Sequence, residues 1–269
     1  MQDLKVSIIQ SSLFWEDHNK NRQVFENKII AIKEDIDIIV LPEMFSTGFS
    51  MEPVPIAEKA NGESFLWMQK MAKEKNAVVS GSIATKEDGK YFNRFYWVEP
   101  DGKYYQYDKR HLFTFAGEHK QYTAGKEKVI INYKGWKFMP LICYDLRFPV
   151  WSKNNYSVEN GFDYDCLLYV ANWPQPRSHV WRVLLMARAI ENQSYVIGVN
   201  RVGTDNNMND YSGDSAIITP KGENISNIMP SKEMQETIVM SYEKLKSFRQ
   251  SFRLGPDWDK FTIEYPAFH

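Results

Sequence analysis

The chain has 269 residues, 43% hydrophobic and 25% charged, with a formal net charge of -1. This is ordinary globular composition, and the chain is long enough to bury a core without metal or disulfides. The charge balance excludes a broad basic surface for nucleic acid or anionic membrane. The 2 cysteines, Cys143 and Cys166, exclude a disulfide framework and a four-thiolate zinc site.

The first residues, MQDLK, lack the charged-then-apolar order of a signal peptide, and no apolar run approaches the ~20 residues of a membrane span. A cytoplasmic location with both thiols free is the expectation. Residues 5–10 (KVSIIQ) read as a strand, and residues 18–33 as a helix with Val24, Phe25, Ile29 and Ile32 on one face. Residues 36–42 (IDIIVLP) form a short β-branched run suited to a strand buried on both faces, and Glu43 follows it at once. Residues 62–76 read as a second helix, with Ser64 as its cap and Phe65, Met68 and Ala72 spaced for one face.

Strands at 77–85 and 91–99 flank Asp88 and Gly89, a hairpin signal, and Pro100, Asp101 and Gly102 mark another turn. Residues 104–107 lead into the polar cluster DKRH at 108–111, and residues 126–143 hold two strand runs around Lys134 and Gly135. A strand at 165–171, a helix at 179–193 and strands at 195–200, 214–219 and 237–241 follow, then a helix at 242–252 and an aromatic tail. Strands alternating with helices define an α/β protein, and the run of consecutive strands in the middle makes part of the sheet antiparallel. Without repeats or linkers, one domain is the simplest organisation.

Open α/β sheets place ligands outside the carboxyl ends of strands. Three positions there carry polar or reactive groups. Glu43 follows IDIIVLP, Cys143 ends KFMPLIC, and Asn172 follows the strand that ends at Ala171. A free cysteine is usually a small buried hydrophobe, as Cys166 inside DYDCLLYV would be. Cys143 differs, because a turn and the charged Asp145 and Arg147 come directly after it. A carboxylate at the mouth of a buried strand is either a cap or surface charge, or a desolvated group able to exchange protons near neutrality. Lys109 by itself reads as a solvated charge. The histidines form no recognisable pairing with a cysteine, and no metal or phosphate-loop motif occurs, so no cofactor is expected.

Taken together, these blocks resemble the nitrilase, or carbon–nitrogen hydrolase, superfamily. LPE at 41–43, with FSTGF at 45–49 behind it, resembles the first-carboxylate block. YDKRHLF at 107–113 resembles the lysine block, and LICYDLRFP at 141–149 the nucleophile block. RAIENQ at 188–193 with YV at 195–196 resembles a fourth, structural block. The resemblance implies a four-layer α-β-β-α sandwich over residues 1–243. Residues 244–269 would be a C-terminal helix and tail, in which 258–268 reach over a partner subunit of a homodimer or larger homo-oligomer. It implies that Cys143 attacks an amide carbonyl and that Glu43 moves the protons. Lys109 and the backbone N–H of Tyr144 would stabilise the oxyanion, and Glu118 would orient the lysine.

CYDLRFPVW at 143–151 and NWPQPR at 172–177 are most similar to the omega-amidase branch. That branch releases ammonia from the terminal amide of small 2-oxo acid monoamides. NWP departs from the Pro-Gly/Ser-Ala type of segment common elsewhere in the superfamily. A substrate carboxylate calls for an arginine, and Arg147 and Arg177 are the candidates, with an internal salt bridge as the alternative for Arg147. Phe45, Phe115 and Trp173 are candidates for an apolar wall, with core packing as the alternative for each. The competing functions are a carbon–nitrogen hydrolase acting on an N-carbamoyl amine, nitrile or aliphatic amide, and a catalytically silent scaffold or binding protein. The presence of Glu43, Lys109 and Cys143 argues against the scaffold.

Overall fold

In the computed structural model, which describes residues 1–264, two sheets pack face to face with helices outside them. The first part of the chain forms β1 (Leu4–Gln10), α1 (His18–Ala31), β2 (Ile38–Val40), α2 (Glu63–Lys75), β3 (Val78–Glu87), β4 (Lys90–Val98) and β5 (Tyr104–Asp108). Next come β6 (Ile131–Tyr133), β7 (Trp136–Ile142), β8 (Cys166–Ala171), α3 (Ser178–Asn192) and β9 (Tyr195–Asn200). The chain continues through β10 (Val202–Thr204), β11 (Asp210–Ser212), β12 (Ala216–Ile218), β13 (Met234–Met240) and α4 (Tyr242–Ser251).

One sheet has the order β13-β1-β2-β3-β4-β5 and the other β12-β9-β8-β7-β6. The central strands β1, β2 and β3 are parallel, as are β7, β8 and β9, while the flanking strands pair antiparallel. Pro140 lies beyond the last β6 pair, Ile131 with Phe138, on the half of β7 with one fewer neighbour. A proline is tolerated there because it is asked for fewer ladder bonds.

Side chains alternate across a strand with period two, and the two cores follow that alternation. Val6, Ile8, Ile38, Val40 and Val78 face the second sheet, whose Phe138, Leu168, Val170 and Ile197 turn towards them. Ile9, Ile39, Leu41 and Val79 face outward, onto Phe25 and Ile29 of α1 and Phe65, Met68 and Met71 of α2. On the far side, Trp181, Leu185 and Ala189 of α3 cover the second sheet. The layers are therefore α-β-β-α, in agreement with the sequence expectation.

Most expected elements form, with ends shifted by a few residues. Ser64 is not the cap of α2. Gly62 occupies that place, and the Glu58 carboxylate accepts from the Ser64 backbone N–H at 2.7 Å. A carboxylate at a helix N-terminus satisfies free N–H groups and complements the dipole. The pattern also missed the β10–β11 arm, whose strands are too short for a periodic signal.

Phe45 is corrected as well. It packs against Phe25 and Trp67, with ring centroids 5.7 and 5.5 Å away, and is fully buried between the first sheet and its helices. A Cβ on Gly81 would come within 3.1 Å of its ring, so the glycine makes room for it. Of the tail, Trp258 packs on Phe162 of its own chain and Lys153 sits 3.5 Å from its ring centroid. The portion of the 258–268 expectation beyond residue 264 lies outside the described residues. Helix α4 is integral to the domain, with Leu245 in the inter-sheet core.

Because Phe45 is a core residue, Phe45→Ala should destabilise the fold by ~3–5 kcal/mol. Urea unfolding reads this loss, and an undiminished midpoint would contradict the placement.

Candidate active site

The polar groups singled out from the sequence collect at the carboxyl ends of the strands. β2 delivers Glu43 through a tight turn in which Met44 adopts φ 43° and its N–H donates to Ser82 Oγ at 2.8 Å. Asn21 of α1 holds the next residues by donating to the Ser46 carbonyl at 2.9 Å. β5 delivers Lys109. Its N–H donates to the Asn93 carbonyl at 3.0 Å, and its own carbonyl accepts from Gly125 at 2.9 Å. A Cβ at Gly125 would lie 2.1 Å from the Asp108 oxygen, so only glycine permits this approach. β7 delivers Cys143, which sits at φ 44°. That left-handed conformation strains a non-glycine residue, and such strain concentrates where a side chain must be presented.

Lys109 is the centre of the cluster. Its Nζ donates to Glu43 Oε1 at 3.0 Å and to the two Glu118 oxygens at 3.1 and 2.9 Å. All three side chains are fully buried. Burial opposes charge on Lys109, but Glu118 and then Glu43 outweigh it and raise its pKa above the usual lysine range. The ammonium therefore persists. An ammonium has three N–H groups; one serves Glu43 and one is shared by Glu118, which leaves the third for a ligand. Burial raises the Glu118 carboxyl, against the pull of Lys109.

Glu43 also accepts from Asn93 Nδ2 at 2.7 Å through Oε1 and from the Asn172 backbone N–H at 2.6 Å through Oε2. A carboxylate offers about four acceptor positions. With three used, one remains, and the neighbouring Cys143 Sγ makes its own contact with the Asn172 carbonyl oxygen at 3.9 Å. Burial, and then the charge of Glu43, push the thiol well above its ordinary pKa, with Lys109 opposing. The resting group is a neutral thiol beside a base.

Asp145 ties the nucleophile turn to the lysine segment. Its Oδ2 accepts from the Ile142 N–H at 3.0 Å and the Tyr107 hydroxyl at 2.8 Å. Its Oδ1 accepts from the His111 backbone N–H at 2.9 Å and lies 2.8 Å from His111 Nδ1. The His111 ring stacks on Phe148 at 3.8 Å.

Cys143 and Lys109 open into a cavity of about 210 Å³. Trp173 and Phe115 line it, the former buried and the latter 87% exposed at the surface. Tyr144 also lines it, with its ring against Phe113 and Phe148. The Arg147 guanidinium lies 4.8 Å from the centre of the Trp173 ring, and that of Arg177 lies 5.6 Å from the Phe113 ring. Among the described residues neither arginine forms an ion pair, so the internal salt bridge weighed for Arg147 is not found. The β10–β11 arm supplies Asp205, Asn207, Asn209 and Tyr211 to the same cavity. No group of three or more His, Cys, Asp or Glu side chains among the described residues is placed to hold a metal ion.

The fold thus assembles Glu43, Lys109, Glu118 and Cys143 in one buried cluster, lines the adjoining cavity with Tyr144, Arg147, Trp173, Phe115 and Arg177, and sends Phe45 to the core. Asn93, Asp145, His111 and the β10–β11 arm went unrecognised in the sequence. Asn93 left a signal, as a polar residue inside the strand KYFNRFYWV. The arm left none, because its place depends on how a loop folds back.

A cysteine, a lysine and a glutamate just past the strand ends of an α-β-β-α sandwich, with a second glutamate from the short turn at Glu118–Lys120, define the class. Residues 5–244 match the family profile described as carbon-nitrogen hydrolase, and the chain belongs to that family. It is 44% identical over 263 residues to the omega-amidase YafV of Escherichia coli strain K12, covering 98% of this chain and 100% of that one. It is 33% identical over 220 residues to the 2-oxoglutaramate amidase of Bacillus subtilis strain 168, covering 81% and 83%. Among solved structures, a CN-hydrolase superfamily protein from Xanthomonas campestris, with an arsenic adduct in its active site, superimposes with a TM-score of 0.95. That match has 40% identity over 98% of this chain and 100% of the other.

The neutral resting thiol has a measurable signature. Alkylation of Cys143 by iodoacetamide should keep accelerating with pH beyond the ~8.5 at which an ordinary thiol ionises. A rate that levels off by pH 8 would mean that the thiol is already ionised at rest.

Proposed function

We propose that this chain is a cysteine-dependent amidase of the omega-amidase type. It releases ammonia from the terminal amide of a small 2-oxo dicarboxylic acid monoamide. The observation that carries the proposal is a neutral thiol and a lysine with one free N–H on a single cavity, with the Glu43 carboxylate 3.0 Å behind that lysine. The named relatives at 44% and 33% identity supply the substrate class.

In the first step Cys143 Sγ attacks the amide carbon while its proton passes to Glu43. The thiol does not ionise alone, so bond formation and proton transfer are coupled. The carbonyl electron pair moves onto oxygen, which receives hydrogen bonds from Lys109 Nζ and the Tyr144 backbone N–H. One such donor lowers the barrier by ~2.7–4 kcal/mol. The C–N bond then breaks as Glu43 returns its proton to nitrogen, and ammonia departs to leave a thioester. Water attacks the thioester carbon and gives a proton to Glu43. The C–S bond breaks, the acid is released and the thiol regains its proton. Glu118 holds Lys109 Nζ through both of its oxygens, which keeps the lysine aimed throughout.

Arg147 and Arg177 have no carboxylate partner among the described residues, and a guanidinium pairs well with a carboxylate. They are assigned to the far end of the substrate, with Trp173, Tyr144 and Phe115 as its apolar surround. The chemistry needs a free thiol, which fits a reducing cytoplasm. The chain is also proposed to form a homodimer through α3, whose outer face exposes Val183, Met186 and Ile190 at helical spacing. Sedimentation should give twice the monomer mass of 31.6 kDa, and Met186→Asp should shift it towards the monomer. A wild-type chain that sediments as a monomer at micromolar concentration would refute the interface.

The function is tested by ammonia release from 2-oxoglutaramate, 2-oxosuccinamate and an N-carbamoyl amine. Wild type should turn over the first two, and Cys143→Ala should retain less than ~10⁻³ of that rate. Carbon dioxide release from the carbamoyl compound, with no activity on the 2-oxo amides, would move the protein to another branch of the family.

A further inference from the structure

Asn172 stands where this chain departs from the segment common in its superfamily, one residue past the end of β8. It touches both members of the reacting pair. Its backbone N–H donates to Glu43 Oε2 at 2.6 Å, and its side-chain Nδ2 donates to the Glu43 main-chain oxygen at 2.6 Å. Its own carbonyl oxygen lies 3.9 Å from Cys143 Sγ. The orientation of the amide follows from chemistry, because the Glu43 carbonyl can only accept, so the end facing it must be the NH2. The other end, Oδ1, is buried and has no partner. Leaving a buried acceptor unpaired is a net cost, and an asparagine retained for stability alone would be expected to satisfy both ends. This residue is kept for its donor.

The topology gives that donor a purpose. Glu43 comes from the first sheet, at the end of β2, whereas Cys143 comes from the second, at the end of β7. β8 is the hydrogen-bonded neighbour of β7, with Val170 registered against Ile142. A grip from the residue after β8 therefore references the base to the sheet that carries the nucleophile. Two donors on one residue hold Glu43 at its main chain and at its carboxylate together, so neither the turn nor the side-chain torsion can drift. The remaining acceptor position of the carboxylate is left for the thiol.

We infer that Asn172 is a positioning residue, whose side-chain amide locks Glu43 in register with Cys143 across the two sheets. Its effect on turnover rests on the amidase chemistry proposed above. A misplacement of about 1 Å in a reacting group can cost ~10²-fold in rate.

Two variants separate this role from a structural one. Asn172→Asp keeps the shape but presents an acceptor to the Glu43 carbonyl. Asn172 also lines the cavity, so near neutral pH the mark of the role is a ~10²-fold fall in kcat that far exceeds any change in KM. As pH falls, the new carboxyl takes up a proton and regains an O–H donor, so the wild-type to variant ratio should narrow. A merely structural residue would give one ratio at every pH. Asn172→Ala supplies a readout that needs no substrate. The charge of Glu43 helps hold the thiol protonated, so loosening Glu43 should move the iodoacetamide–pH profile of Cys143 to lower pH. Wild-type kcat in the Asp variant, a pH-independent ratio, or an alkylation profile that coincides with wild type would each overturn the role. If wild type itself hydrolyses no amide, the proposed function fails, and the alkylation profiles still decide the positioning role.

Discussion

The structure turns on a buried ammonium held between two buried carboxylates. Taking Lys109, Glu43 and Glu118 out of water costs several kcal/mol per ion, and close opposite charges offset this only when the geometry is good. That condition explains much of what surrounds the cluster. Asn93 and the Asn172 backbone supply donors to Glu43, the Phe113 N–H supplies one to Glu118, and Gly125 permits the backbone approach that fixes Lys109. The Cys143 thiol sits beside this cluster, and burial and then the charge of Glu43 hold its proton in place.

The two-sheet architecture is what lets such a cluster exist. Glu43 and Lys109 descend from one sheet and Cys143 from the other. Cys143 adds a strained backbone to this framework, and Asp145 clamps the turn to Tyr107 and His111. A small movement at either place would separate the thiol from its proton acceptor. The cavity outside the cluster is less tightly built, with arginines laid on aromatic rings and an exposed Phe115. The buried cluster is fixed by hydrogen bonds, and the cavity outside it by packing and charge.

The difference in rigidity matches what was legible in the sequence. Glu43 and Cys143 each follow an apolar strand, and the strand periodicity pointed to that end of the sheet, whereas Lys109 read as a solvated charge and gained its role from family resemblance. Glu118 was reached only through family resemblance, since nothing local separates it from its polar neighbours. Phe45 was misplaced because an aromatic residue beside a glutamate has the same local pattern whether it turns to a cavity or to a core. Gly81, 36 positions away, decides that by making room for the ring. Ser64 failed as a cap for a similar reason, since Glu58 reaches the helix end first.

By itself, the sequence determined the alternation of strands and helices, the faces they bury and the placing of Glu43, Cys143 and Asn172 at strand ends. These follow from periodicity, which is a local property of the chain. Only the tertiary structure decided which donors hold Glu43, that Asn172 reaches it from the other sheet, that Asp145 joins the nucleophile turn to the lysine segment, and which arginines stand unpaired at the cavity. Those contacts join residues far apart in the chain. Their energies depend on burial and on distances of a few ångströms, quantities that exist only once the two sheets have packed.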